Sequence, residues 1–172
     1  FITVKSDLNK VNYANISVRI SDAFMKAVEE DKDWELKFER KETGEIISKT
    51  IKAKELFRKL CEQNWNYAEP GMLFWDRINN YNLLSNTKSF KYAGVNPCAE
   101  EPLPAGGSCN LCAINLAAFV KNGEFDFDEF SYVVQKAVNY QNDILTEGLT
   151  RHPLKEQQES VANYRQIGIG IM

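Results

Sequence analysis

The sequence predicts a mixed α/β protein, because strand and helix periodicities alternate along its whole length. Apolar residues recur every three to four positions over 53–67 and from 127 to about 145, which predicts two amphipathic helices. Several shorter stretches alternate apolar and polar residues, as half-buried strands do. No internal repeat or low-complexity tract separates these elements, so we expect one domain or a large part of one.

The first elements are predicted from alternation and from a capping residue. Residues 1–5 and 15–20 alternate and are predicted to be short strands. Ser21 can cap a helix that runs to about Glu30, since a serine oxygen accepts from the free N–H groups of the first turn. The inner face of that helix would carry Phe24, Met25 and Val28.

A hairpin and a second helix follow. Residues 34–39 and 45–51 flank a Lys-Glu-Thr-Gly turn, which indicates a β-hairpin. The helix over 53–67 is closed by Glu-Pro-Gly. A short apolar strand over 72–76 and a polar loop over 81–91 are predicted after it.

The last third of the chain contains the longest helical pattern. It begins near residue 127, with Asp126 or Asp128 as its cap. A shorter helix is predicted over 155–164, and a strand rich in Ile and Gly over 166–172. The apolar stripe of the long helix is expected to comprise Phe130, Val133, Val134, Ala137, Val138 and Tyr140.

Composition narrows the possible functions. A net charge of -3 without a basic stripe gives nucleic-acid binding no electrostatic support. No apolar run reaches the roughly 18 residues typical of a membrane helix, so no membrane role is expected. Four cysteines without a secretory signal indicate free thiols in a cytoplasmic protein. The chain begins without a start Met and ends inside an apolar run, so we expect both ends to be cuts in a longer protein.

The pattern with the clearest chemical meaning is Asn96-Pro97-Cys98-Ala99-Glu100. Pro97 favours an extended chain, in which residues two apart point to the same side. An amide, a thiol and a carboxylate would then face one cavity. The amide can bind substrate hydroxyls, the carboxylate can take a hydroxyl proton, and the thiol can act as a nucleophile, redox partner or hydrogen-atom carrier. From spacing alone, a polar loop with an incidental cysteine remains an alternative.

The same residues resemble the active-site pattern of ribonucleotide reductase large subunits. Asn-Pro-Cys-Ala-Glu-Glu-Pro-Leu-Pro at 96–104, Gly-Ser-Cys-Asn-Leu at 107–111 and Ile-Asn-Leu at 114–116 are most similar to the adenosylcobalamin-dependent class. The proline after the asparagine and the short interval from Cys98 to Cys109 favour that class over the di-metal class. Further similarity, in the order found in the family, lies in residues 15–18, 22–25, 65–79 and 165–172.

The resemblance implies a role for each residue of the pattern. Cys98 would carry a thiyl radical that removes the 3′-hydrogen of a ribonucleotide, and Glu100 would deprotonate the 3′-hydroxyl. Asn96 would hold the substrate by hydrogen bonds. Cys109 would be one half of the cysteine pair that reduces the 2′ position, and its partner in the family lies upstream of Phe1.

The resemblance also implies a fold, a cofactor and partners. The chain would be a partial segment of the family's ten-stranded α/β barrel, with residues 1–172 truncated at both ends and inactive alone. Adenosylcobalamin would supply the radical in the full enzyme, and these residues are not expected to bind it tightly. A thioredoxin-type reductant and the remainder of the reductase chain would be its partners. Whether the substrate is a di- or triphosphate is left open.

Alternatives rest on the cysteines. A zinc or iron–sulfur module would have to use Cys61, Cys98, Cys109 and Cys112, which contain only one tight pair instead of the usual two. A thioredoxin-like dithiol at the Cys-x-x-Cys pair should open a helix, but the residues after it have a strand pattern. A non-catalytic assembly module would make Cys98 and Glu100 incidental. Position 112 is usually glycine in the family, so the role of Cys112 is open, and we expect it to form no disulfide with Cys109.

Overall fold

The computed structural model describes residues 1–7 and 9–172 and confirms the mixed α/β class. The chain divides into two units, Phe1–Leu84 and Ser85–Met172. Within the described residues, the strands form five two-stranded sheets, and none of them closes into a barrel. No helix in this part of the chain has the length and apolar character needed to cross a membrane.

The first unit is built on a parallel strand pair, β1–β4, in which Ser17 is in register with Gly71. A parallel pair requires a long crossover connection, and here that connection contains two helices and a hairpin. The elements of the unit are β1 (Ser17–Ile20), α1 (Asp22–Glu29), β2 (Asp33–Glu39), β3 (Ile46–Lys52), α2 (Ala53–Tyr67), β4 (Gly71–Phe74) and α3 (Trp75–Asn80).

The core of the first unit lies where α1 and α2 meet. The buried side chains are Ile20, Phe24, Ala27, Ala53 and Leu60. The helix cap predicted at Ser21 is confirmed, because its Oγ accepts from the N–H of Phe24 at 3.1 Å. The hairpin is confirmed as an antiparallel pair, β2–β3, and α2 has the predicted bounds.

Two predictions for the first unit were wrong in detail. Residues 1–5 form no strand; a 3-10 helix occupies Val4–Ser6, because the N–H groups of Val4 and Ser6 bond back to the carbonyls of Phe1 and Thr3. The strand predicted over 72–76 ends at Phe74, and the chain turns directly into α3, which was not predicted.

The second unit contains a parallel pair, β7–β10, and two antiparallel pairs, β5–β6 and β8–β9. Its elements are β5 (Tyr92–Val95), β6 (Pro102–Pro104), β7 (Asn110–Ile114), a 3-10 helix (Leu116–Phe119), β8 (Val120–Lys121), β9 (Glu124–Phe125), α4 (Phe127–Gly148), α5 (Lys155–Tyr164) and β10 (Ile167–Ile171). Asp126 caps α4 as predicted, since its Oδ1 accepts from the N–H of Glu129 at 2.9 Å.

Helix α4 packs against β7 and β10. In the second half of this helix, the buried residues differ from those that were predicted. Val138 and Tyr140 are exposed, whereas Gln141 and Leu145 are buried. Gln141 can be buried although it is polar, because its Nε2 donates to the carbonyls of Asn110, at 2.8 Å, and Gly168, at 3.1 Å. This side-chain amide gives hydrogen bonds to two strand carbonyls that the helix would otherwise bury without a partner.

Candidate functional site

Residues Asn96–Glu101, here called the Cys98 loop, connect the antiparallel strands β5 and β6. The N–H of Asn96 donates to the carbonyl of Glu101 at 3.1 Å, and the side-chain Oδ1 of Asn96 accepts from the N–H of Glu101 at 3.0 Å. Inside the loop, the N–H of Ala99 donates to the carbonyl of Asn96 at 3.0 Å. These bonds make the loop a closed turn.

The extended geometry predicted for this segment is therefore wrong. Ala99 adopts a left-handed conformation with φ 68°, and such a residue breaks the alternation of an extended chain. Asn96 is buried, whereas Cys98 and Glu100 are exposed. The structure keeps the three residues together in one short loop, with the amide of Asn96 buried and the side chains of Cys98 and Glu100 at the surface.

Cys109 lies directly before β7, next to a cavity of about 270 Å³ in the second unit. Glu100 and Glu101 of the Cys98 loop line the same cavity, together with the main chain of β10 at Gly168–Gly170. Burial raises the pKa of the Cys109 thiol, and the negative charges of Glu101 and then Glu100 raise it further. The structure thus brings Glu100 and Cys109 to one cavity, whereas Cys98 does not line it.

Gln166 connects the end of the Cys98 loop to the start of β7. This residue was not singled out from the sequence. Its Nε2 donates to the Glu101 carboxylate at 3.0 Å and to the carbonyl of Pro102 at 3.3 Å. Its main-chain oxygen accepts from the N–H of Asn110 at 3.3 Å, one residue after Cys109. No sequence signal could have revealed it, because Gln166 lies 65 residues after Glu101 in the chain.

Cys109 and Cys112 both lie at the β7–β10 pair, but only one of them also lies beside α4. A Cβ on Gly168 would lie 3.3 Å from the Cys109 Sγ, so this thiol is on the side of the small cavity. Cys112 lines the small cavity as well, and it also lines a second cavity beside α4, together with Ile114, Val133 and Ala137. Both cysteines are free thiols, as are Cys61 and Cys98.

The described residues contain no group of three or more His, Cys, Asp or Glu side chains placed to hold a metal ion. The cavity beside Cys109 does not fit adenosylcobalamin, because it is smaller than the roughly 300–1,000 Å³ typical of pockets for drug-sized ligands. This cobalamin is much larger than such ligands. We therefore assign no cofactor-binding residues in this part of the chain.

The fold and the site together define a mixed α/β segment of an enzyme in which thiols and carboxylates share one loop and one cavity. The particular family follows from comparison with known proteins. The family model described as "Ribonucleotide reductase, barrel domain" matches residues 1–172, so the chain belongs to this family.

Curated relatives agree with that assignment. A vitamin B12-dependent ribonucleoside-diphosphate reductase of Mycobacterium tuberculosis is 34% identical over 173 residues, covering 100% of this chain and 24% of the relative. A protein of the same name from Thermoplasma acidophilum is 34% identical, covering 100% of this chain and 22% of the relative. A vitamin B12-dependent ribonucleotide reductase of Streptomyces coelicolor is 36% identical, covering 95% of this chain and 17% of the relative. The chain thus spans a quarter or less of the length of these proteins.

Proposed function

We propose that this chain is part of a ribonucleotide reductase that converts ribonucleotides to 2′-deoxyribonucleotides by thiyl-radical chemistry. The family membership of residues 1–172 carries the proposal. The site adds chemical support, because an exposed thiol, two carboxylates and a second thiol lie in the Cys98 loop and the cavity beside it. The metal-binding and assembly-module alternatives are not favoured by the relatives.

Each residue has a defined part in the proposed reaction. The Cys98 sulfur radical takes the 3′-hydrogen atom and becomes a thiol, leaving a radical on the 3′ carbon. Glu100 accepts the 3′-hydroxyl proton, which makes loss of the 2′-hydroxyl as water easier. Cys109 and a partner cysteine outside these residues supply two electrons and two protons and become a disulfide. The 3′-hydrogen atom then returns from Cys98 to the 3′ carbon and the proton returns from Glu100 to the 3′ oxygen, so the thiyl radical, the carboxylate and the 3′-hydroxyl are all restored.

The burial of Asn96 refines its proposed role. Its Oδ1 already accepts from the main chain of Glu101, so only its amide NH2 is proposed to donate to a substrate hydroxyl. Cys98 is exposed at the tip of a closed turn, where a substrate held by other parts of the protein can reach it. The hydrogen bond of Asn96 and the exposure of Cys98 support the proposed roles of the two residues.

The complete protein is proposed to be a cytoplasmic enzyme that uses adenosylcobalamin as its radical source, because the relatives are named as vitamin B12-dependent. A thioredoxin-type reductant would reduce the disulfide after each turnover. We also propose that residues 1–172 are an internal segment of the ten-stranded catalytic barrel. The small share of each relative that the chain covers supports this placement.

The proposed function is tested by Cys98→Ser in the complete protein. We expect nucleotide reduction to be abolished while cobalamin affinity is unchanged, because an alcohol O–H bond is too strong for the oxygen to serve as hydrogen-atom carrier. Cys61→Ser is the matched control; Cys61 lies on α2 in the other unit, and turnover should be retained. Substantial turnover by Cys98→Ser would contradict the assignment.

A further inference from the structure

The cavity beside Cys109 contains a second carboxylate, Glu101, for which the proposed reaction has no use. The titratable residues that line this cavity are Glu100, Glu101, Cys109 and Cys112. Glu100 is exposed, whereas Glu101 is half-buried and lies at the end of the Cys98 loop. A half-buried carboxylate beside a half-buried thiol disfavours ionisation of that thiol, because solvent screens the negative charge only in part.

Glu101 is also fixed in place more firmly than its neighbours in the loop. Its main-chain N–H and carbonyl both bond to Asn96, and its side-chain Oε1 accepts from Gln166 at 3.0 Å. Gln166 in turn accepts from the N–H of Asn110. The carboxylate is therefore tied to the strand that begins next to Cys109, and its position relative to this thiol is set by the fold.

We propose that Glu101, held by Gln166, is a positioning residue that keeps Cys109 in its protonated thiol form between turnovers. The inference rests on the proposed function, in which two thiols must deliver two electrons and two protons when they become a disulfide. A thiolate at Cys109 would lack one of those protons. Burial opposes the thiolate first, and the negative charges of Glu101 and then Glu100 oppose it further, in agreement with the raised pKa of Cys109.

The test is the pH profile of Cys109 alkylation in the complete, reduced protein, measured by iodoacetamide labelling and peptide mass spectrometry. Glu101→Gln removes the charge but keeps the shape and an oxygen that can accept from Gln166. We expect the profile to move to lower pH, with labelling at pH 8 at least about threefold faster, because more of the thiol is then ionised. A loss of packing alone would change the rate at every pH without moving the profile.

Two further variants make the outcome decisive. Glu124→Gln removes an exposed charge on β9 and should leave the Cys109 profile unchanged, and Cys61 labelling serves as an internal reference. Gln166→Leu releases the Glu101 side chain and should move the profile in the same direction by a smaller amount; it decides the question if Glu101→Gln does not fold. A Cys109 profile in Glu101→Gln and Gln166→Leu that coincides with that of the unchanged protein would overturn the proposal. Labelling is measured on the resting protein, without turnover. The result is therefore independent of whether Cys98→Ser abolishes nucleotide reduction.

Discussion

The side-chain oxygen of Asn96 accepts a hydrogen bond from the N–H of Glu101 at 3.0 Å, and the main chains of the two residues bond in the opposite direction at 3.1 Å. Asn96 therefore closes the loop that presents Cys98. The residue proposed to bind substrate is also the residue that gives this loop its shape.

Replacing Asn96 separates these two roles. Asn96→Ala should lower the free energy of unfolding by about 1–2 kcal/mol, because it leaves the Glu101 N–H without its partner at a buried position. Asn96→Asp keeps the acceptor and should retain most of that stability. It lacks the amide NH2, however, so KM for the nucleotide should rise. Urea unfolding and steady-state kinetics measure the two effects, and an unchanged KM in Asn96→Asp would remove the substrate role.

The two glycines of β10 provide a matched pair of variants. A Cβ on Gly168 would lie 2.6 Å from Leu111 Cδ2 and 3.3 Å from Cys109 Sγ, whereas one on Gly170 would meet nothing closer than 3.6 Å. Gly168→Ala must therefore move the end of the exposed Leu111 side chain, which costs little, and shift the Cys109 Sγ by a few tenths of an ångström, so we expect it to be less stable than Gly170→Ala by at most about 1 kcal/mol. Turnover should fall in Gly168→Ala and persist in Gly170→Ala. Equal stability and activity of the two variants would show that Gly168 does not limit the space around Cys109.

The sequence predicted those elements whose signals are local. The bounds of α2 and the caps at Ser21 and Asp126 follow from periodicity and from short-range hydrogen bonding, and they are confirmed. The loop at Ala99 and the burial of Gln141 could not be predicted in this way. Ala99 has no strong preference for a left-handed conformation, and Gln141 is buried only because two distant strands present carbonyls to it.

Glu69 makes the stability of the first unit depend on pH. Its Oε2 lies 2.8 Å from the Lys5 Nζ, and its Oε1 accepts from the N–H of Ile16 at 3.0 Å. Both contacts favour the charged form, so they lower the pKa of Glu69 below its usual value, with the Lys5 bond the larger cause. The stability that this provides is present above the unfolded-state pKa of about 4.3 and is lost as the pH falls through the folded-state pKa.

The corresponding variant is Glu69→Gln. It should be less stable than the unchanged protein at pH 7, and the difference should shrink as the pH falls from about 5 to about 3. Urea midpoints at several pH values measure this. Glu62→Gln, which removes an exposed partner of Arg58, should show little difference at any of these pH values. A difference for Glu69→Gln that stays constant with pH would contradict the ion-pair account.

The last prediction is that Cys109 and Cys112 do not bond to each other, although their Cys-x-x-Cys spacing suggests a redox pair. Residues three apart on a strand lie about 10 Å apart, whereas a disulfide needs Cα atoms within about 7 Å. Both thiols line the cavity with Glu101, but Cys112 also lines the cavity beside α4, which Cys109 does not.

Thiol counting and disulfide mapping on the air-oxidised complete protein check this prediction. Cys112 should remain a free thiol, and Cys112→Ala should keep turnover because the residue serves only as a small packing group. Cys109→Ala should abolish turnover, since the proposed reduction would lose one of its two electron donors. A dominant Cys109–Cys112 disulfide would mean that β7 opens in solution. It would also favour the alternative in which these two cysteines form a local dithiol redox pair.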